Sequence, residues 1–141
     1  MQQICYASTS TLDHVQLLQD VRDILKEARD FNALHNISGI LYYADQHYFQ
    51  CLEGGEEVLE LLMSKLLKDH RHKDIKVFEV KTINAAHFRA WGMKYVQRMS
   101  SVHTKMREMG FATFEPQIMS QQQIDQLLQD LYDAQSDESL G

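Results

Sequence analysis

The stretch YYADQHYFQCLEGGEEV, residues 42–58, reads as two short strands around a turn. Apolar residues run through Tyr43, an Ala-Asp-Gln-His segment interrupts them, and Tyr48, Phe49, Cys51 and Leu52 resume the run, which is a hairpin signature. Side chains alternate across a strand, so Tyr48, Gln50 and Leu52 share one face and Phe49, Cys51 and Glu53 the other. Glu53 stands at the strand's end, where a charge is easily solvated, so the Leu52 face is expected to be the core face. Gln50 is then the odd residue, an amide in the middle of a core-facing strand. Gly54 and Gly55 break the strand, and Val58, Leu61, Leu62 and Leu66 recur at helical spacing up to KDHRHKD at 68–74.

Upstream, QQICYAS (2–8) reads as a first strand, with Ile4, Tyr6 and Ser8 on one face and Cys5 and Ala7 on the other. Val15, Leu18, Val21, Leu25 and Ala28 mark a helix from His14 to about Leu34. NISGILYY (36–43) supplies the first strand of the hairpin. Downstream, IKVFEVKTI (75–83) reads as a strand and WGMKYVQ (91–97) as a fifth, with Trp91, Met93 and Tyr95 alternating with Gly92 and Lys94. The order is β-α-β-β-α-β with one strand added. That is an α+β, ferredoxin-like pattern, a sheet with two helices on one face. Beyond Arg98, a helix around 102–110 ends at Gly110, and Ser120 with Gln123 forms a capping box opening a helix through about Tyr132. The expected organisation is a domain over 1–97, a helical extension over 98–135 packing on the sheet, and a flexible tail over 136–141.

Composition narrows the class. The 141 residues are 44% hydrophobic with one proline, which suits one packed domain with a modest extension. No apolar run reaches the ~18 residues of a membrane helix, and no basic-then-apolar leader opens the chain. The two cysteines, Cys5 and Cys51, lie inside strands and make no disulfide framework, which favours reduced thiols and a cytoplasmic location. A net charge of −6 disfavours a broad grip on nucleic acid.

Four groups of residues stand out. A buried amide without a partner costs about 1–3 kcal/mol, so Gln50 needs a partner. A backbone group or a water is one solution. Tyr6 is another, because the first and third strands of this topology are neighbours and would bring phenol and amide together on the helix side. An amide both donates and accepts, and rotation exchanges the roles. Asn32 either ends the first helix or offers its amide to an imide-like ligand edge. His70, Arg71 and His72 form a basic turn after a helix C-terminus, suited also to a carbonyl or phosphate. They lack the Cys/His partners of a zinc site, so no metal is expected. Trp91 and Met93 read as strand core on the residues alone. Phosphate loops, nucleophile elbows and paired catalytic carboxylates are absent, so spacing gives no enzyme signature.

Taken in order, CYAS with Tyr6, ARDFN…ISGILYY with Asn32, FQCLEG with Gln50, KDHRH, and FRAWGM with Trp91 and Met93 resemble the BLUF family of blue-light sensors that use a flavin. The likeness runs from about residue 2 to 97. It implies a noncovalent flavin, usually FAD with FMN as the alternative, held between the two helices with its ring near the sheet. It implies that Asn32 pairs with the pyrimidine edge of the ring, that Arg71 and His72 lie by the C2 carbonyl, that Ile24 and Leu66 clamp the ring faces, and that Lys65 approaches the phosphate. Tyr6 and Gln50 would be the light-sensing pair. On excitation Tyr6 would lose an electron and then a proton, leaving Gln50 rotated or tautomerised with a changed bond to the flavin C4 carbonyl and a red-shifted absorption. Trp91 and Met93 would pass the change outward. Phe31 departs from the family's usual His or Asn, Asn36 and Ser38 from Gly and Thr, and Gly92 from Ser.

The resulting expectation is a photoreceptor, not an enzyme. Its output would pass to a downstream protein partner or through a homo-oligomer, without direct contact to nucleic acid or membrane. One alternative is a non-photoactive ferredoxin-like ligand- or RNA-binding module, with Tyr48 and Phe49 stacking on bases. Another, a small flavin-dependent or acyl-phosphate enzyme, lacks a nucleophile or an acid–base pair.

Overall fold

The structure, a computed structural model, describes residues 1–11, 17–88, 91–96 and 101–134. The expected helix start at His14, the boundary at 97–98 and the tail at 136–141 lie outside these residues. The elements are β1 (Gln2–Ser10), α1 (Leu17–His35), β2 (Ser38–Ala44), β3 (His47–Gly54), α2 (Glu56–Leu67), β4 (His72–Val77), β5 (Lys81–Thr82), β6 (Lys94–Val96), α3 (Ser101–Glu108) and α4 (Gln121–Asp133). The sheet order is β4-β1-β3-β2-β6, with β5 continuing along β1. β4, β1, β3 and β2 pair antiparallel in the ferredoxin-like order, and β6 adds to β2 in parallel.

Local chemistry sets the turns. Asp45 and Gln46 both have positive φ (51° and 66°), the backbone of a two-residue type I′ hairpin. Asn36 ends α1 in the left-handed region at φ 55°, and Ile37 N–H closes onto the Asn32 carbonyl at 3.0 Å. Asparagine, with its short polar side chain, tolerates that conformation. Helix α1 therefore stops at Asn36, and Asn32 is not its terminator. Gly110, at φ 94°, closes α3: its N–H reaches Arg107 O at 3.0 Å and Phe111 N–H reaches Met106 O at 3.1 Å, a Schellman motif. The Ser120–Gln123 capping box forms as expected.

The central strands β1, β2 and β3 are buried on both faces. On the α1–α2 side lie Ile4, Tyr6, Leu41, Leu52 and Met93 with Val21, Leu25 and Leu59. On the other side Cys5, Ala7, Ile40, Phe49 and Cys51 pack against Val102 and Met106 of α3 and Ile124, Leu127 and Leu131 of α4. The solvated Glu53 expected from its place at the strand's end is not what the fold builds. Glu53 is 0% exposed, taking Gln3 Nε2 at 3.0 Å and Phe88 N–H at 2.7 Å. Two donors satisfy the carboxylate, so it is tolerated inside.

Two strand expectations change. The strand over 75–83 begins earlier, at His72, and splits into β4 and β5, because Phe78 leaves the ladder to enter the core while its N–H holds Cys5 O at 2.9 Å. The strand at 91–97 shortens to β6, and residues 91–93 lie outside it.

Candidate functional site

A cleft of about 270 Å³ lies between α1, α2 and the sheet. Ile24, Glu27, Ala28 and Phe31 recur on one face of α1 at helical spacing, and Leu62, Lys65 and Leu66 line it from α2. The sheet contributes Tyr6, Leu41, Tyr48 and Gln50, and the segment after α2 contributes Asp69, Arg71 and His72. Apolar walls with a few convergent polar groups are the usual build of a small-molecule site. Eight expected site residues, Tyr6, Ile24, Asn32, Gln50, Lys65, Leu66, Arg71 and His72, line this cleft together.

Tyr6 and Gln50 are direct cross-strand partners in the β1–β3 register. The Tyr6 hydroxyl donates to Gln50 Oε1, and Gln50 Nε2 points at Met93 Sδ, 3.6 Å away. Both residues are buried. Burial pushes the Tyr6 phenol well above its ordinary value of 10, and the negative charge of Asp69 adds to that, so it stays neutral.

Asn32 is 1% exposed. Its Nδ2 donates to Gly92 O at 2.6 Å, and its Oδ1 is buried at the cleft without a partner. A buried acceptor left open beside a cavity is a place for a ligand N–H. Lys65 Nζ stands 4.5 Å from the centroid of the Phe31 ring, which stacks on His35 at 4.2 Å. Phe31 of α1 thus meets Lys65 of α2 across the cleft.

Arg71 and His72 are tied into the protein. Arg71 bonds both Asp69 oxygens and reaches Glu27 of α1 at 2.8 Å. Burial works to raise the Asp69 carboxyl, but the Arg71 hydrogen bonds and charge outweigh it and hold it below the ordinary carboxylate value. His72 Nε2 lies 2.6 Å from Leu66 O and must donate to it, so in the neutral ring Nδ1 accepts from Ser8 Oγ at 2.8 Å. Sequence reasoning missed Glu27, Asp69, Ser8 and Arg29, whose Nε holds Met93 O at 3.2 Å. Charged residues on a helix face or in a turn carry no signal separating a site partner from a solvated surface.

Trp91 does not join Met93. The alternation expected over 91–95 would place both on one face, but Trp91 packs on the α4 side, against Phe88 and Tyr132, while Met93 stays beside Gln50. Gly92 lies between them, ahead of β6, so the pleat does not govern that step. Tyr48 and Phe49, the base-stacking residues of the RNA-binding alternative, are 3% and 0% exposed and present no platform. Among the described residues no His, Cys, Asp or Glu cluster could hold a metal, and no helix is long and apolar enough to cross a membrane.

The comparisons with known proteins agree with this geometry. The family model described as BLUF, sensors of blue-light using FAD, matches residues 1–94. Comparison with curated proteins gives no match. Among solved structures, BlsA in its ground state is 46% identical, with a TM-score of 0.91 over 97% of this chain and 91% of that one. BlsA in its photo-activated state gives the same identity and TM-score over 97% and 98%. A bacterial light-regulated adenylyl cyclase is 25% identical, with a TM-score of 0.68 over 93% of this chain and 35% of that one. BlrB, a BLUF protein in its dark state, is 26% identical, with a TM-score of 0.70 over 79% and 84%. With its ferredoxin-like sheet and its cleft between two helices, this chain belongs to the BLUF family and is a blue-light sensor that binds flavin.

Proposed function

We propose that this photoreceptor senses light through Tyr6 and Gln50 in the α1–α2 cleft and delivers the result to a partner protein through α3 and α4. The observation that carries the reading is the buried chain from Tyr6 O–H through the Gln50 amide to Met93 Sδ, lying beside the open Asn32 Oδ1. The residues fit a flavin ring. Ile24 and Leu66 supply apolar contact to its faces, and Asn32 Oδ1 accepts its imide N–H. Arg71 and His72 line the polar end, and Lys65, on the rim, is suited to a phosphate. We assign the flavin as FAD, a choice supported by the family description.

Bound flavin supplies the absorption of blue light and an excited state that accepts an electron. Tyr6 is the donor: its phenol is neutral, so it would give up an electron to the bound flavin and then its hydroxyl proton to Gln50 Oε1, the atom already accepting that hydrogen bond. Gln50 changes next. Its Nε2 faces a thioether, a weak acceptor, so once Tyr6 no longer donates to Oε1 little opposes a rotation that exchanges Oε1 and Nε2. When Tyr6 is again a neutral phenol nothing has been consumed, and only the donor and acceptor positions of Gln50 have moved. Two amide states close in energy form a two-state element that a local hydrogen-bond change can bias.

Residues 1–97 act as the sensor and 98–135 as the output cap, whose apolar faces cover the sheet opposite the cleft. The protein works in the cytoplasm, as the buried thiols of Cys5 and Cys51 favour. Output passes by contact with a partner rather than by catalysis in this chain. The test is Gln50→Leu. The variant is expected to retain flavin and lose the light-induced red shift of its absorption, and a normal shift would refute the role of Gln50.

A further inference from the structure

Lys94 is a charged residue in the sheet that the chemistry above does not use, and it is 2% exposed. It follows Met93 and opens β6. Its Nζ donates to Tyr132 O, in the last turn of α4, at 2.9 Å and stands 4.3 Å from the Trp91 ring centroid. Trp91 also meets Phe88 at 6.2 Å and the Tyr132 ring at 5.9 Å. A lysine at such a depth is costly unless its charge is used. Here two features use it: the carbonyl end of a helix dipole and the negative face of an indole.

The backbone around Trp91 leaves a choice that something must settle. Asn32 holds Gly92 O and Arg29 holds Met93 O, so the chain is pinned from α1. Neither bond fixes the side on which the Trp91 ring falls. Gly92 is exposed and a Cβ there would meet nothing within 4 Å, so no side chain directs the turn. Strand pairing begins only at Lys94.

We propose that Lys94 is a positioning residue of the photoresponse: its ammonium, held between the end of α4 and the face of Trp91, keeps that ring on the α4 side and so leaves Met93 as the neighbour of Gln50. The same side chain ties the residue next to Met93 to the backbone of α4, so the cleft and the output helix share one point of attachment. The inference rests on the reading that Gln50 faces the bound flavin.

The test uses the full chain loaded with flavin. Trp91 is the sole tryptophan, and its emission is shortened when the ring approaches the flavin, so its lifetimes report the side it occupies. Lys94→Met removes charge and donor, Lys94→Gln removes the charge but keeps a donor, and Lys94→Arg keeps both. In the Met and Gln variants the ratio of short-lived to long-lived emission is expected to rise roughly five- to thirtyfold, the worth of a largely desolvated cation–π contact. The dark-recovery rate is expected to change with it, and the Arg variant to hold the native ratio. Unchanged lifetimes in the Met and Gln variants would overturn the proposal, as would an Arg variant that behaves like Met. If the native chain took up no flavin, seen as missing visible bands, the cleft assignment itself would fail. That result is separate from any lifetime change.

Discussion

Replacing Asn32 by alanine separates its two tasks, because each amide atom faces a different partner. Nδ2 holds Gly92 O at 2.6 Å, and Oδ1 is open at the cleft. Gly92 is exposed, so water can take the place of the lost donor. The stability cost is then that of an ordinary hydrogen bond, about 0.5–1.5 kcal/mol, and not the larger penalty of a stranded buried group. On the ligand side the lost acceptor is a neutral bond of the same size, which weakens flavin binding about two- to twelvefold. Asn32→Asp distinguishes the atoms further. It keeps an acceptor at the cleft but turns a second oxygen toward the Gly92 carbonyl, 2.6 Å from the present nitrogen. That contact is repulsive when the carboxyl is ionised and a hydrogen bond when it is protonated. The folded state therefore raises the pKa of the new carboxyl, and stability is present in acid and lost as pH rises past the unfolded value of about 3.9. Urea denaturation of the flavin-free chain measures the first cost, and equilibrium dialysis of flavin the second. Native flavin affinity in the alanine variant, with lowered stability, would show that Asn32 only braces Gly92 and would refute its place in the site.

The remaining predictions concern buried groups. Tyr6, Tyr42 and Tyr48 are all raised above the ordinary phenol value, chiefly by burial, Tyr48 to about 12. Above pH 10 the unfolded chain releases these protons and the folded chain keeps them, so stability falls as pH rises. At pH 11 each phenol contributes a loss of about 1.4 kcal/mol. Urea midpoints between pH 9 and 11, followed with tyrosinate absorbance, test this, and ionisation of all six tyrosines near pH 10 in folded protein would refute it. Glu53→Ala leaves Gln3 Nε2 and Phe88 N–H without their acceptor and is expected to destabilise by about 2–5 kcal/mol. Glu53→Gln, keeping one oxygen, is expected to cost less, and equal urea midpoints for the two variants would refute the pairing.

The sequence made the cleft legible where alternation or helical spacing controls the side chain. Tyr6 and Gln50 stand opposite each other because both strands keep a regular pleat, so face and register could be read directly. Ile24, Asn32 and Leu66 followed from the family resemblance, and the helical faces bring them to the same cleft. Reading failed where the chain leaves the regular lattice. Trp91 lies before β6 begins, and its side depends on contacts with residues 88, 94 and 132 that no local pattern carries. Glu53 looked solvated because α3 and α4, which cover its face, come from sequence far beyond the strand. The Glu27–Arg71–Asp69 network was invisible for a similar reason: it joins α1 to the segment after α2 through long, flexible side chains.

Which part of the sheet can carry a change from Gln50 to the opposite face is decided by how firmly each strand is held. β3 is paired along its length, with β1 from Gln2↔Gly54 to Thr9↔His47 and with β2 from Ser38↔Glu53 to Ala44↔His47. Moving it would disturb both ladders and two packed cores at once, and a close-packed interior resists such displacement. Gly39 shows how tight that region is, since a Cβ there would lie 2.5 Å from Cys51 O. β6 is held differently. Among the described residues it pairs only with β2, over Ile40↔Lys94 to Tyr42↔Val96, and residues 91–93 before it are held by isolated bonds: Gly39 N–H to Trp91 O, Trp91 N–H to Phe88 O, Asn32 to Gly92 O and Arg29 to Met93 O. Elements with few ladder bonds and single side-chain ties open at lower free energy than paired central strands. Met93 touches the switch amide on one side of this element, and Lys94, the next residue, bonds the end of α4 on the other. A half-turn of the Gln50 amide replaces the donor facing Met93 Sδ with an oxygen, which removes the hydrogen bond between Gln50 and Met93. The weakly held element is therefore the one that loses a tie when the switch turns, and its next residue is already fastened to the output helix.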